Sequence, residues 1–250
     1  MFREFHYQVR GRGHALDSTR GQDRTAYLSC GGVQVLCLSD GAGSASHSEF
    51  GAQTLVDAGC KLIAERFADL VDSDDGASLK VEIVRHLLAR LEPVAARLDV
   101  EVRDLAATFL AVAADSRRFL IIHVGDGVVG YVKFGHALVA SGPDNSEFAN
   151  QTTFLTAESA AAAMRILRGG LDGVTGFVLM SDGTANSLYN TRTNELAPAC
   201  AKLVARLGSA PTIQTKNPKH RRELRRLMDT KIRSATKDDC SIGILARRLN

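Results

Sequence analysis

The chain has 250 residues, 45% hydrophobic and 24% charged, with a formal net charge of +3. That balance suits a globular protein with a sizeable core, and a single domain over residues 1–250 is expected because no Pro/Ser-rich or low-complexity linker interrupts it. The mild charge, few aromatics and lack of Trp argue against a nucleic-acid partner. No run approaches the ~20 apolar residues of a bilayer span, and residues 1–13 lack the apolar stretch of a signal peptide. The five cysteines are odd in number, scattered and without C-x-x-C spacing. They suggest neither a zinc site nor a disulfide framework, so a reducing, cytoplasmic setting away from membranes is expected.

In chain order, residues 2–9 alternate enough to form a first strand. Residues 25–29 and 33–38 then read as a hairpin around Gly31-Gly32. Residues 46–70 carry apolar positions at helical spacing: Phe50, Leu55, Val56, Leu62, Ile63 and Phe67. A turn at 72–76 leads to a second helix from Ser78, whose pattern resumes beyond Pro93. The period then changes to that of strands at 106–113, 119–124, 128–134 and 137–140, which predicts an antiparallel meander. Residues 141–151 read as a polar loop, 152–155 as a short strand, 159–167 as a short helix and 177–180 as a strand. A helix over 198–207, a strongly basic helix over 218–234 and a strand over 242–246 complete the pattern. Long helices with runs of short strands, and no βαβ alternation, predict an α+β fold with helices packed on antiparallel sheets.

Apolar runs end repeatedly in a carboxylate followed by glycine: Ser39-Asp40-Gly41, Ser181-Asp182-Gly183 and, more loosely, Gly125-Asp126-Gly127. Asp23 and the pair Asp238-Asp239 also stand at element boundaries. Taken singly, each is ordinary turn or helix-cap chemistry. Taken together, four or five carboxylates brought to one sheet end would repel one another and need a counter-charge. Two divalent ions about 3.5–4 Å apart would supply it, and all-oxygen ligation favours Mg²⁺ or Mn²⁺ over Zn²⁺.

The motifs Asp40-Gly41-Ala42-Gly43, Ala107-Thr108, Gly125-Asp126-Gly127, Ser181-Asp182-Gly183-Thr184 and Asp238-Asp239-Cys240-Ser241 occur in the order of those of metal-dependent protein phosphatases of the 2C type. Gly13-His14 with Gly21-Gln22-Asp23, and the stretch from Glu147 to Phe154, resemble a small bacterial branch of that family. The resemblance implies a four-layer α-β-β-α sandwich, with two central antiparallel sheets flanked by helix pairs, and two Mn²⁺ or Mg²⁺ ions in a cleft at one end. By that analogy Asp40 bridges both metals, Gly41 offers a carbonyl to one, Asp182 and Asp238 ligate the other, and Asp23 holds a metal-bound water. Asp126 matches an auxiliary position for a third, weaker ion. A metal-bridging hydroxide would then attack the phosphorus of phosphoserine or phosphothreonine in a phosphorylated protein substrate, with a monomer as the working unit.

Two departures stand out. Ala42 takes the place of a His that serves many members as leaving-group acid, and Ser18 takes that of a phosphate-gripping Arg. Arg20, Arg12 or His14 are the candidate replacements for the latter, with a structural role as the alternative for His14. Gln22 replaces a common Glu. Thr108 reads as the family's strand Thr or as a plain β-former, His123 as a packed core residue and His47 as a helix-start residue. Residues 187–210 take the place of a variable flap beside the cleft. The basic run from Lys216 to Arg226 reads as a solvated helix face, or alternatively as a docking surface for an acidic partner. The leading reading is a metal-dependent protein phosphatase; the alternatives are a catalytically weak binding module and a hydrolase of small phosphoesters.

Overall fold

The apolar runs that scarcely alternate in the sequence are strands covered on both faces. A computed structural model describes residues 1–143, 152–211 and 218–248. The first half runs β1 (Phe2–Val9), α1 (Arg12–Leu16), β2 (Arg24–Cys30), β3 (Val33–Ser39), α2 (Ser48–Asp72), α3 (Gly76–Leu98), β4 (Phe109–Ala114) and β5 (Arg118–Val124). Then come β6 (Val128–Lys133), β7 (His136–Ser141), α4 (Ala160–Ala163), β8 (Arg165–Gly170), β9 (Val174–Met180), α5 (Asp182–Leu188), β10 (Tyr189–Asn190) and β11 (Glu195–Leu196). The chain closes with α6 (Ala199–Gly208), α7 (Lys219–Leu227), a π-helical turn (Met228–Ile232), α8 (Arg233–Ala235) and β12 (Cys240–Arg247).

Two antiparallel five-stranded sheets result, one ordered β1-β12-β9-β6-β7 and the other β2-β3-β4-β5-β8. Strand alternation assigns each side chain to a layer. In β4, Leu110, Val112 and Ala114 meet Phe177, Leu179 and Leu245 of the facing sheet, while Phe109, Ala111 and Ala113 pack under α2 and α3. In β9 and β12, Val178, Met180, Ile242, Ile244 and Ala246 face Leu203, Val204 and Leu207 of α6 and Leu224 and Met228 beyond it. The expected α+β sandwich of four layers is therefore present, with α2/α3 on one side and α6/α7 on the other. Each fully buried Leu, Ile or Phe in these layers stabilises the fold by about 1.5–3 kcal/mol.

Several local expectations differ. The strands of 106–140 are not one meander: β4–β5 belong to one sheet and β6–β7 to the other, and the chain changes sheets at Gly125-Asp126-Gly127. Residues 152–155 form no strand; Leu155 donates its N–H to the Ala107 carbonyl at 2.9 Å instead. The helix expected over 159–167 is one turn of alanines, and Arg165–Gly170 is an edge strand paired with β5. Its half-buried side chains and paired arginines hide the strand pattern. Pro93 lies inside an unbroken α3, which begins with Asp75 accepting the Ser78 N–H at 2.9 Å. The loop motif at 147–151 and Lys216 lie outside the described residues.

Candidate metal centre

Strand register brings the acidic residues together. In the β2–β3 hairpin Arg24 pairs with Ser39, so Asp23 and Asp40 leave the ladder side by side. Val128 and Ile242 both pair with Met180, which sets Asp126 and Asp182 at the same end of the other sheet as the start of β12. Asp40 is held by main chain. Its N–H donates to Thr108 Oγ1 at 2.9 Å, its carbonyl accepts the Thr108 N–H at 2.8 Å, and Ser39 Oγ donates to the Thr108 carbonyl. Thr108 is thus a buried strap on the Asp40 backbone, and Gly41 continues the pairing by a bridge to Ala107.

The electrostatics link these residues in a chain. Burial, then the charges of Asp23 and Asp182, raise the Asp40 carboxyl well above the usual range. Burial lifts Asp23 to about 7; the adjoining Asp40 side chain opposes that shift and the Asp239 charge adds to it. Burial, Asp238 and Asp126 raise Asp182 to about 6. In all three carboxyls burial is the largest cause of the upward shift, and neighbouring carboxylates add to it. Cys240 stands among the same charges, and burial with Asp23, Asp238 and Asp239 pushes its thiol up to about 12, which favours the neutral thiol.

Asp23 is 2% exposed, yet neither of its side-chain oxygens, nor Ser241 Oγ beside it, completes a hydrogen bond among the described residues. Buried oxygens in that state match the needs of a hard cation. Among the described residues no three His, Cys, Asp or Glu side chains form a ready ligand cage. The carboxylate oxygens of this donor set fit Mn²⁺ or Mg²⁺ in kind. Asp238 is exposed and accepts the Asp239 N–H at 2.8 Å, while Asp126 accepts Thr152 Oγ1 at 2.5 Å.

Asp239, to which sequence reasoning gave no role, is the buried member of the pair. Its carboxylate accepts the N–H groups of Gly11 at 2.6 Å and Gln22 at 2.5 Å, and His14 Nδ1 lies 3.0 Å away. It clasps both ends of the loop that delivers Asp23. The contact is close enough to demand glycine twice: a Cβ on Gly11 would lie 2.4 Å from the Asp238 carbonyl, and one on Gly183 2.1 Å from that of Asp239. The acidic doublet was the only sequence signal, and it does not tell which member turns inward.

That clasp engages His14, in line with its structural alternative. Arg12 Nε donates to the Thr236 carbonyl at 3.0 Å. The Arg20 side chain is 75% exposed, with Nη1 3.8 Å from Oε1 of Glu49 at the start of α2, so it is the least committed of the three candidates. His47 immediately precedes α2, as expected of a helix-start residue. His123 is fully buried with Nδ1 2.6 Å from Ser141 Oγ, a core residue and not a ligand. The flap region is the β10–β11 ribbon followed by α6.

Relatives of known structure share this architecture. A crystal structure of a bacterial serine phosphatase is similar with a TM-score of 0.68 and 14% identity, over 100% of this chain and 99% of that one. The serine/threonine phosphatase Stp1 from Staphylococcus aureus is similar with a TM-score of 0.65 and 15% identity, over 100% of this chain and 96% of that one. In sequence, the chain is 33% identical over 130 residues to Serine/threonine-protein phosphatase 3 of Escherichia coli (strain K12), covering 51% of this chain and 50% of that protein. The match spans about half the length of that curated relative. A family profile described as Protein phosphatase 2C matches residues 10–229, so the chain belongs to the protein phosphatase 2C family.

Proposed function

We propose that this chain, acting as one domain, hydrolyses phosphoserine and phosphothreonine in proteins with two Mn²⁺ or Mg²⁺ ions, and a third held weakly at Asp126. The observation that carries the reading is the run of adjoining carboxyls from Asp23 through Asp40 to Asp182, each raised chiefly by burial, in a member of this family. Asp40 would hold both ions, the Gly41 carbonyl would complete one site, and Asp182 and Asp238 would serve the other. Bound ions would neutralise phosphate charge and draw a nucleophile from water near neutral pH. Asp23, buried and without complete hydrogen bonds, would orient that water. Thr108 would keep Asp40 in place through its backbone. Arg20, steadied by Glu49, would take the phosphate oxygens in a guanidinium fork.

Ala42 is buried and supplies no leaving-group acid, so aryl phosphates should be turned over faster than alkyl phosphoesters. Among the described residues no helix is long and apolar enough to cross a membrane. The proposed working unit is a cytoplasmic monomer acting on phosphorylated proteins. The test is Mn²⁺-stimulated hydrolysis of p-nitrophenyl phosphate and a phosphothreonine peptide by wild type, Asp40→Asn and Asp182→Asn. Equal rates in all three would refute the proposal. The missing acid and the missing Arg at Ser18 favour a second reading, a catalytically weak binding module. Calorimetry with Mn²⁺ separates the two, because a decayed site binds fewer than two ions.

A further inference from the structure

The arginines of α7 divide into two groups. Arg221 pairs with Glu4, Arg225 lies over the Tyr7 ring 5.7 Å from its centroid, and on α6 Arg206 pairs with Glu223. Arg226 and Lys231 are exposed, and their side chains have no ion pair or hydrogen bond among the described residues. Both line a groove of about 650 Å³ between α6 and α7, over Leu203, Leu224 and Leu227. The π-helical turn helps form it: it keeps Met228 and Ile232 buried at its two ends while Thr230 and Lys231 reach the groove.

From this groove we infer that the protein docks an acidic, amphipathic segment of its protein substrate between α6 and α7. An apolar floor takes the Leu-type anchors of a helix laid in a groove, and two unpaired cations on the rim take carboxylates beside them. The apolar floor and spare positive charge together select that partner over a neutral or basic one. The segment carrying Lys231 runs on through α8 to Asp238, seven residues later in the sequence. The inference rests on the proposed phosphatase activity for the word substrate, but its binding step does not.

Two measurements separate them. Fluorescence anisotropy with a labelled peptide carrying Leu and Glu at helical spacing, without phosphate, should show saturable binding that weakens with salt. Binding should fall about tenfold in Arg226→Glu/Lys231→Glu and by less in Arg226→Gln/Lys231→Gln. Appending the same segment to a phosphothreonine peptide should lower KM about tenfold in wild type and not in the Glu variant, with p-nitrophenyl phosphate turned over equally by both. No peptide binding, equal binding by all variants, or binding only to phosphatidylserine vesicles would overturn the inference. Peptide binding without any phosphate hydrolysis would leave the groove standing and refute the activity.

Discussion

His123 provides a direct test of how burial is balanced in this fold. It is 0% exposed, its Nδ1 faces Ser141 Oγ at 2.6 Å, and burial together with the Arg165 charge lowers its pKa from 6.5 to about 3. The unfolded chain takes up a proton below 6.5 that the native protein refuses until about 3. A depressed folded pKa therefore gives stability that is complete above 6.5 and drains away as pH falls. The slope is about 1.4 kcal/mol per pH unit, so on the order of 2–3 kcal/mol should be lost between pH 6.5 and 4.5. The raised carboxyls Asp23 and Asp182 titrate in the same window with the opposite sign and mask the effect in wild type alone. His123→Gln keeps a polar partner for Ser141 and removes the titration. Urea unfolding of both proteins in a chelator should show Gln less stable at pH 7.5, with the gap narrowing by about 2–3 kcal/mol by pH 4.5. A gap that stays level to within ~0.5 kcal/mol would refute the reasoning.

Asp239→Ala leaves the buried Gly11 N–H and the partly buried Gln22 N–H without an acceptor and should cost about 2–4 kcal/mol in thermal or urea unfolding. Asp239→Asn should recover much of that stability, while calorimetry reports weaker Mn²⁺ binding because the Asp23 loop is less firmly held. The raised folded pKa of Asp182 means that its contribution to the metal-free fold is complete below 3.8 and lost as pH rises through about 6. Asp182→Asn should consequently stabilise the metal-free protein at pH 8, by up to about 3 kcal/mol, and abolish stabilisation by Mn²⁺ in a thermal-shift assay. Arg20→Ala should raise KM for p-nitrophenyl phosphate about tenfold with a smaller change in kcat, and Glu49→Gln should do so by less. An Arg12→Ala effect larger than that of Arg20→Ala would reassign the phosphate contact.

The amino-acid sequence by itself determined the features that are local. An apolar run ended by Asp-Gly specifies a strand that stops at a carboxylate, and helical spacing through residues 46–98 specifies the α2/α3 pair. The order of the motifs pointed to the family without any pairing information. What only the tertiary structure decided depends on partners distant in the chain. Gly125-Asp126-Gly127 looks like a hairpin turn, yet it carries the chain from one sheet to the other, because β6 finds β9 and β5 finds β8. Arg165–Gly170 is a strand only because the edge of β5 needs a neighbour. Asp238 and Asp239 are chemically identical in the sequence, and the bend that leads into β12 turns them apart. One is exposed at the sheet end, and the other is buried against two backbone N–H groups from the loop of Asp23, more than two hundred residues away.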